Sequence, residues 1–258
     1  MAARALTVVL TADDFGLDQT VNAAIATAMS AEWVTHGSLL ANMPHAAEAC
    51  ELARRSAAHE RIGLHLNLSQ GVPMSEPMRA SSTFCRDGVF LPVEKFPRYR
   101  FLSTADRDAV SQELRAQLGV MKRLGIKPSH LDSHNDVHLA PSIARLVVDV
   151  ARAEGVPRVR ISRNCGTRLG VARRVHHRAY NLWLERRGLR GVDYRGFIND
   201  VIWLVQRGRL HAGVRIEVLL HPRPTPSGAI CDAPWPGTLE ARVTELRRHL
   251  ASPEHQPL

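Results

Sequence analysis

Apolar residues recur along the chain in two rhythms: short runs that are apolar throughout or at every second position, and longer runs with apolar positions three and four apart. The first rhythm predicts strands and the second helices. LTVVL (6–10) reads as a buried strand, and TADDFG (11–16) follows it. In VNAAIATAMSAE (21–32), Val21, Ala24, Ile25, Ala28 and Met29 share one helix face. VTHGSLLANM (34–43) reads as a strand stopped by Pro44, and HAAEACELARRSAA (45–58) as a helix. RIGLHLNLS (61–69) alternates Ile62, Leu64, Leu66 and Leu68 against Gly63, His65, Asn67 and Ser69, a strand period. An irregular stretch, 70–102, holds Pro73, Pro77, Gly88, Pro92 and Pro97, and is too long for a simple connector. A helix then runs to Gly125, with Thr104 expected to cap it. SHLDSH (129–134) is the next strand; PSIARLVVDVARAEG, opened by Pro141 and closed by Gly155, is a helix. RVRIS (158–162) reads as a strand, 166–212 as mostly helical, VRIEVLLH (214–221) as a strand and 237–251 as the last helix.

Six strands alternating with helices, and a seventh that could lie near 198–206, predict a parallel sheet with crossover helices. The expected fold is α/β, a distorted or incomplete (β/α) barrel, with an open doubly wound parallel sheet as the alternative. The whole chain, 1–258, is expected to be a single catalytic domain, with 70–102 and 166–212 as lids. The first turn carries no GxGxxG, so no dinucleotide site is expected.

Charge narrows the classes less than it first suggests. The net charge of +9 invites a nucleic-acid reading. Yet the basic residues are arginines apart from Lys95, Lys122 and Lys127, and they form no long block. A solvated basic surface is the expectation, with no nucleic-acid partner. No apolar run approaches the roughly 20 residues of a membrane helix, and no membrane partner is expected. The N-terminal apolar stretch is too short for a signal peptide. Cys50, Cys85, Cys165 and Cys231 form no CxxC pair, so reduced thiols and a cytoplasmic location are expected.

The chemistry sits at predicted strand ends. Asp13 and Asp14 follow the first strand, His65 lies in the third, and Asp132, His134 and His138 end the fourth. Arg160 lies on RVRIS and His221 ends the last strand. Alone, Asp13–Asp14 would pass for a solvated turn. In α/β barrels, however, C-terminal strand ends converge on the face where active sites form. His59, His176, His177, His249 and His255 read as surface residues, and His36 and His45 as structural. A divalent cation would remove the repulsion between adjacent carboxylates. One Asp and two His would leave coordination positions open, as in catalytic sites. His134 and His138 are expected in a loop, because Pro141 disfavours a helix starting earlier.

Four segments in order, TADDFG, IGLHLNL, KPSHLDSHNDVH and EVLLHPR, resemble the YdjC-type carbohydrate deacetylases over about residues 6–222. The resemblance implies a distorted (β/α) barrel and a metal-dependent removal of acetyl from N-acetylated sugars. It implies that Asp14, His65 and His134 ligate the metal, that Asp13 is the general base, and that His221 lies at the active site. Two positions depart from the family pattern. Thr11 stands where Asn is usual, and Asn135–Asp136 replace a His pair, which puts the substrate contacts near 135–138 in question.

Amide hydrolysis also needs an acid for the leaving amine, and His221 is the candidate. Asp132 is expected to orient a ligand histidine from behind. Asn42, Asn67, His138 and Arg160 are the candidate substrate contacts. Zinc is the expected ion, with Mg2+ or another divalent ion as alternatives. The expected substrate is an N-acetylglucosamine-type sugar or glycoside: a chitobiose-like oligosaccharide, or a glycosylated natural product such as a glycopeptide-antibiotic pseudoaglycone. A metal-dependent phosphoesterase and a basic nucleic-acid-binding domain are the alternative classes.

Overall fold

A computed structural model describes residues 6–166 and 170–251. His255 and residues 167–169 of the expected helical insertion lie outside them. In chain order the elements are β1 (Thr7–Phe15), α1 (Gln19–Ser30), β2 (His36–Leu39), α2 (Ala46–Arg55), β3 (Ile62–Leu66), α3 (Glu76–Ala80), β4 (Cys85–Arg86) and β5 (Val89–Phe90). They continue as α4 (Thr104–Arg123), β6 (Leu131–Ser133), α5 (Ala144–Ala153), α6 (Val171–Arg186), β7 (Tyr194–Gly196), α7 (Ile198–Gln206), β8 (Arg215–Leu220), β9 (Pro222–Pro224), β10 (Ile230–Asp232) and α8 (Leu239–Ala251).

Six strands form one sheet in the order β6-β3-β2-β1-β8-β7, every pair parallel. Parallel neighbours need crossover connections, which the intervening helices supply. Val159 spans the two sheet edges by single bridges, to Leu131 of β6 on one side and to Arg190, just before β7, on the other. The sheet therefore curls into an incomplete barrel of a single α/β domain. β1, β2, β3 and β8 are buried over most of their length, as strands covered on both faces should be. Gly63 serves a close approach: a Cβ there would fall 2.4 Å from the His130 ring.

Several boundaries differ from the expectations. RVRIS is not a strand; only Val159 pairs, and β7 completes the six. Residues 198–206 form α7, whose apolar residues Ile198, Val201, Ile202, Leu204 and Val205 share a buried face. Within 70–102 lie α3 and the β4–β5 hairpin, joined to α4 by Glu113, which accepts from the Met74 and Ser75 amides at 3.0 and 2.7 Å. Ser103, not Thr104, caps α4, accepting from Asp106 N at 3.0 Å. Pro141 precedes α5 instead of opening it, and the helix starts at Ala144. The β9–β10 ribbon directly after β8 was not anticipated; its three-residue arms offer no periodicity to read.

Candidate metal centre and substrate cavity

The end of β1 shows how two adjacent carboxylates reach the same site. Against β2, Ala12 pairs with Gly37 but Phe15 pairs with Leu39, so the register slips across Asp13–Asp14. Asp14 adopts φ 70, a left-handed conformation that Asp tolerates better than most residues. Bulges of this kind re-aim side chains. The next turn is pinned by Gly16 N, which donates to Asn22 Oδ1 at 2.7 Å. Gly16 has φ +95, and a Cβ there would meet Leu40 O at 3.1 Å.

Asp14, His65 and His134 each offer a donor atom, and the three atoms lie within 4.8 Å of one another. Asp14 Oδ1 is 2.8 Å from His134 Nδ1 and 3.4 Å from His65 Nε2. Asp14 Oδ2 accepts from Arg223 at 2.5 Å. Behind the trio, His65 Nδ1 meets Asp132 Oδ1 at 2.7 Å, which leaves Nε2 facing Asp14. Asp132 Oδ1 also accepts from Ser38 Oγ.

Burial works against charge on Asp14, but hydrogen bonds from His134 and His65 outweigh it and hold its carboxyl far below the usual range. Burial likewise disfavours the His65 imidazolium, yet the carboxylates of Asp132 and Asp13 hold its pKa up to about 10. The cluster thus concentrates negative charge around His65. One carboxylate and two imidazoles, one imidazole oriented by a carboxylate behind it, are a donor set that fits a divalent ion. Asp13, His65 and Asp132 also converge within 4.8 Å. There the counter-charge is Arg160, whose guanidinium lies 2.8 Å from Asp13 and 2.6 Å from Asp132.

Arg160 is therefore not a substrate contact. It is 4% exposed, binds both Asp13 oxygens at 2.8 Å, and donates through Nε to Glu217 at 2.9 Å. His138 is also unavailable. It is fully buried between Ser133 Oγ (2.6 Å) and Arg160 O (3.2 Å), and burial pulls its pKa down to about 4. Asn67 bonds Asn42 Oδ1 at 3.0 Å and Gln70 O at 2.9 Å, and Asn42 bonds Gln70 O at 3.1 Å. None of these four lines the cavity; their polar atoms are used internally.

That cavity, about 1050 Å³, is lined by Asp13, Asp14, His65, His134 and His221. His221 is half-buried at the end of β8, its backbone N held by Asp232 at 2.8 Å and its carbonyl by Ala233 N at 3.0 Å. His134 opens a 3-10 turn, His134–Leu139, in which Asn135 (φ 57) and Asp136 (φ 53) are both left-handed. Arg98 donates to Asn135 O at 2.9 Å, and Arg195 to Asp136 Oδ1 at 2.7 Å. His176 and His177, expected at the surface, are half-buried and line the cavity from α6. Sequence reasoning also missed Ser38, Glu217, Arg195 and Arg223. Two of these, Glu217 and Arg223, stand inside EVLLHPR, where attention to His221 passed over them.

The chain is 32% identical over 186 residues to a carbohydrate deacetylase of Danio rerio, covering 72% of this chain and 59% of that protein. It is 38% identical over 150 residues to a human carbohydrate deacetylase, covering 57% and 46% respectively, and 35% identical over 150 residues to one from Vibrio vulnificus, covering 58% and 57%. The chain thus spans about half to three fifths of the length of these relatives. A crystal structure from Enterococcus faecalis, whose description names cellobiose-phosphate cleavage, shares the fold with a TM-score of 0.67 at 22% identity, over 98% of this chain and 93% of the other. Residues 7–223, which include every member of the Asp14–His65–His134 cluster, match the YdjC-like protein family, and the chain belongs to it.

Proposed function

We propose that the chain is a single-domain, metal-dependent carbohydrate N-deacetylase that releases acetate from an N-acetylglucosamine-type sugar. The observation that carries this reading is the Asp14–His65–His134 donor set opening into a cavity that Asp13 and His221 also line. The names of the relatives support the same activity. A divalent ion, zinc by preference among oxygen–nitrogen binders, would polarise the acetyl carbonyl and acidify the attacking water.

The protein's own groups do the rest. Arg160 fixes both Asp13 oxygens, so the carboxylate is presented in one orientation and takes the proton from the attacking water. His221 delivers a proton to the leaving amine nitrogen. Asp132 and Ser38 hold the His65 ring in place. Arg98 and Tyr99, from the segment 70–102, and Arg173, His176, Arg195 and Phe197, from 166–212, wall the cavity as lids would. Room beyond one sugar ring suits a chitobiose-like oligosaccharide or an N-acetylglucosaminyl natural product, including a glycopeptide-antibiotic pseudoaglycone. Four unpaired cysteines suit a reducing, cytoplasmic setting. Among the described residues no helix is long and apolar enough to cross a membrane.

The test is acetate release from a panel of N-acetyl sugars, run beside phosphate-release and nucleic-acid-shift assays. Wild type should release acetate and hold about one divalent ion; Asp14→Ala, His65→Ala and His134→Ala should lose both while remaining folded. Full metal occupancy in all three variants, or phosphate release in place of acetate, overturns the reading.

A further inference from the structure

Every bulky apolar side chain left exposed among the described residues lies in 70–102 or 166–212. Tyr99 and Phe101 stand on the first of these segments, the former 83% exposed and the latter fully, and Val171, Val175 and Leu182 stand on α6. Soluble monomers rarely leave such residues clustered without a partner. The two stretches bracket residues 139–142, of which 139–141 line the cavity. Arg98 O accepts from Ser142 N at 3.3 Å on one side, and His176 Nε2 lies 3.3 Å from Leu139 O on the other.

The sequence of α6 suits two environments. Tyr180, Asn181 and Leu184 are buried against the body of the domain. Val171, Val175, Arg178 and Leu182 follow the helix period, so they form one line on the opposite, exposed face. Arg174 is exposed beside that line. Charge is as one-sided as polarity. Residues 95–103 and 170–184 contain no Asp or Glu, but they hold Lys95, Arg98, Arg100, Arg173, Arg174 and Arg178. Arg100, Arg174 and Arg178 have no ion-pair partner among the described residues. A solvated basic surface explains the arginines. It does not explain the valines, the leucine and the phenylalanine set among them. Exposed apolar side chains flanked by arginines are the pattern of a segment that rests in a lipid–water interface.

We propose that Phe101 and the exposed face of α6 form a docking surface for an anionic phospholipid bilayer, beside the cavity. The proposal stands apart from the deacetylase reading. Phe101, Val171, Val175 and Leu182 enter the headgroup boundary, while Arg100, Arg174 and Arg178 meet the lipid phosphates, each contributing about fivefold to partitioning. No helix among the described residues is long and apolar enough to cross a membrane, so the chain lies on the bilayer without spanning it. A second copy of the chain is a poor occupant, because a two-fold contact would set this acid-free face against itself. Nucleic acid would satisfy the arginines but leave the valines and Leu182 unused.

The experiment is co-sedimentation of the metal-loaded full chain with vesicles, either equimolar phosphatidylcholine and phosphatidylglycerol or phosphatidylcholine alone. Wild type should partition onto the anionic vesicles at least about tenfold more strongly than onto the neutral ones, and less so at high salt. Arg174→Gln/Arg178→Gln should weaken anionic binding by about twentyfold, the product of two such charges. Phe101→Ser/Val175→Ser should weaken it by about tenfold or more through lost apolar insertion. All four side chains are exposed, so thermal unfolding of both variants should match wild type. No binding to anionic vesicles, equal binding to neutral ones, or unchanged binding in either variant overturns the surface. So does a dimer in light scattering that dissociates in Phe101→Ser/Val175→Ser, which would make a second copy the occupant. A fluorescein-labelled DNA duplex bound more tightly than the vesicles, and weakened by the arginine variant alone, overturns it in favour of nucleic acid.

Discussion

Arg160 is the residue on which most of the buried charge depends. Asp13, Asp132 and Glu217 all face one guanidinium, at 2.8, 2.6 and 2.9 Å. Opposing charges outweigh the burial that would otherwise lower its pKa, so Arg160 stays protonated. Removing one partner of a buried ionic network leaves the others uncompensated, at about 3–5 kcal/mol. Arg160→Met should therefore lower unfolding free energy by about that amount in urea titration, and a change within about 0.5 kcal/mol would show that the three acids find other partners. Asp13→Asn is a different kind of change. It keeps an acceptor for Arg160 and leaves Asp14 in place, so metal content should persist while turnover falls by about 10²–10⁴. Loss of metal with the rate would mean that Asp13, not only Asp14, ligates.

At the level of elements, two joints bring the site together. The β1 slip at Asp13–Asp14 turns a strand end into a pair of functional carboxylates. The β3–β6 pairing sets His65 opposite Asp132, so the ligand and its support arrive in register. The latter pair leans on Gly63, beneath the His130 ring. Gly63→Ala should cost about 1–3 kcal/mol by overpacking, measured by thermal or urea unfolding. If it is silent, the ring has room to move. The segment after β3 hangs on Glu113, which binds the Met74 and Ser75 amides and Ser75 Oγ. Glu113→Ala should speed hydrogen exchange at those two amides well before the sheet amides respond. Unchanged protection there would show that α3 holds the segment by itself.

Across the whole molecule, buried histidines set the acid limit of stability. Burial, reinforced by the neighbouring His130 charge, lowers His36 to about 3. Burial also lowers His138 to about 4, against the pull of Asp136. Both are neutral in the fold, while the unfolded chain protonates them near 6.5. Below pH 6.5 the unfolded state binds more protons, so stability falls as pH drops toward 4 and is fully present above 6.5. Each group adds a slope of about 1.4 kcal/mol per pH unit in that window. His36→Gln should remove about one such slope from a pH series of urea midpoints between 6 and 4. An unchanged slope would place the acid sensitivity elsewhere.

The sequence alone determined the alternation of strands and helices, because periodicity is local and survives without tertiary information. It also ordered the acids and histidines at strand ends, since a strand that stops on charge is visible in one dimension. Tertiary structure decided which polar residues face the cavity. Arg160 and His138 looked free to meet substrate, but Asp13, Glu217, Ser133 and a carbonyl take up their polar atoms from distant parts of the chain. Arg195 and His176 carried no local signal, and Arg223, though it ends the segment EVLLHPR, gave no sign of its partner, because their neighbours across the barrel are set by sheet order and crossover helices. RVRIS shows the same limit for backbone: its apolar rhythm is that of a strand, but at the seam of an incomplete barrel only Val159 finds partners on both sides. A side chain's chemistry is written at its own position, whereas its availability depends on what the fold has already bonded to it.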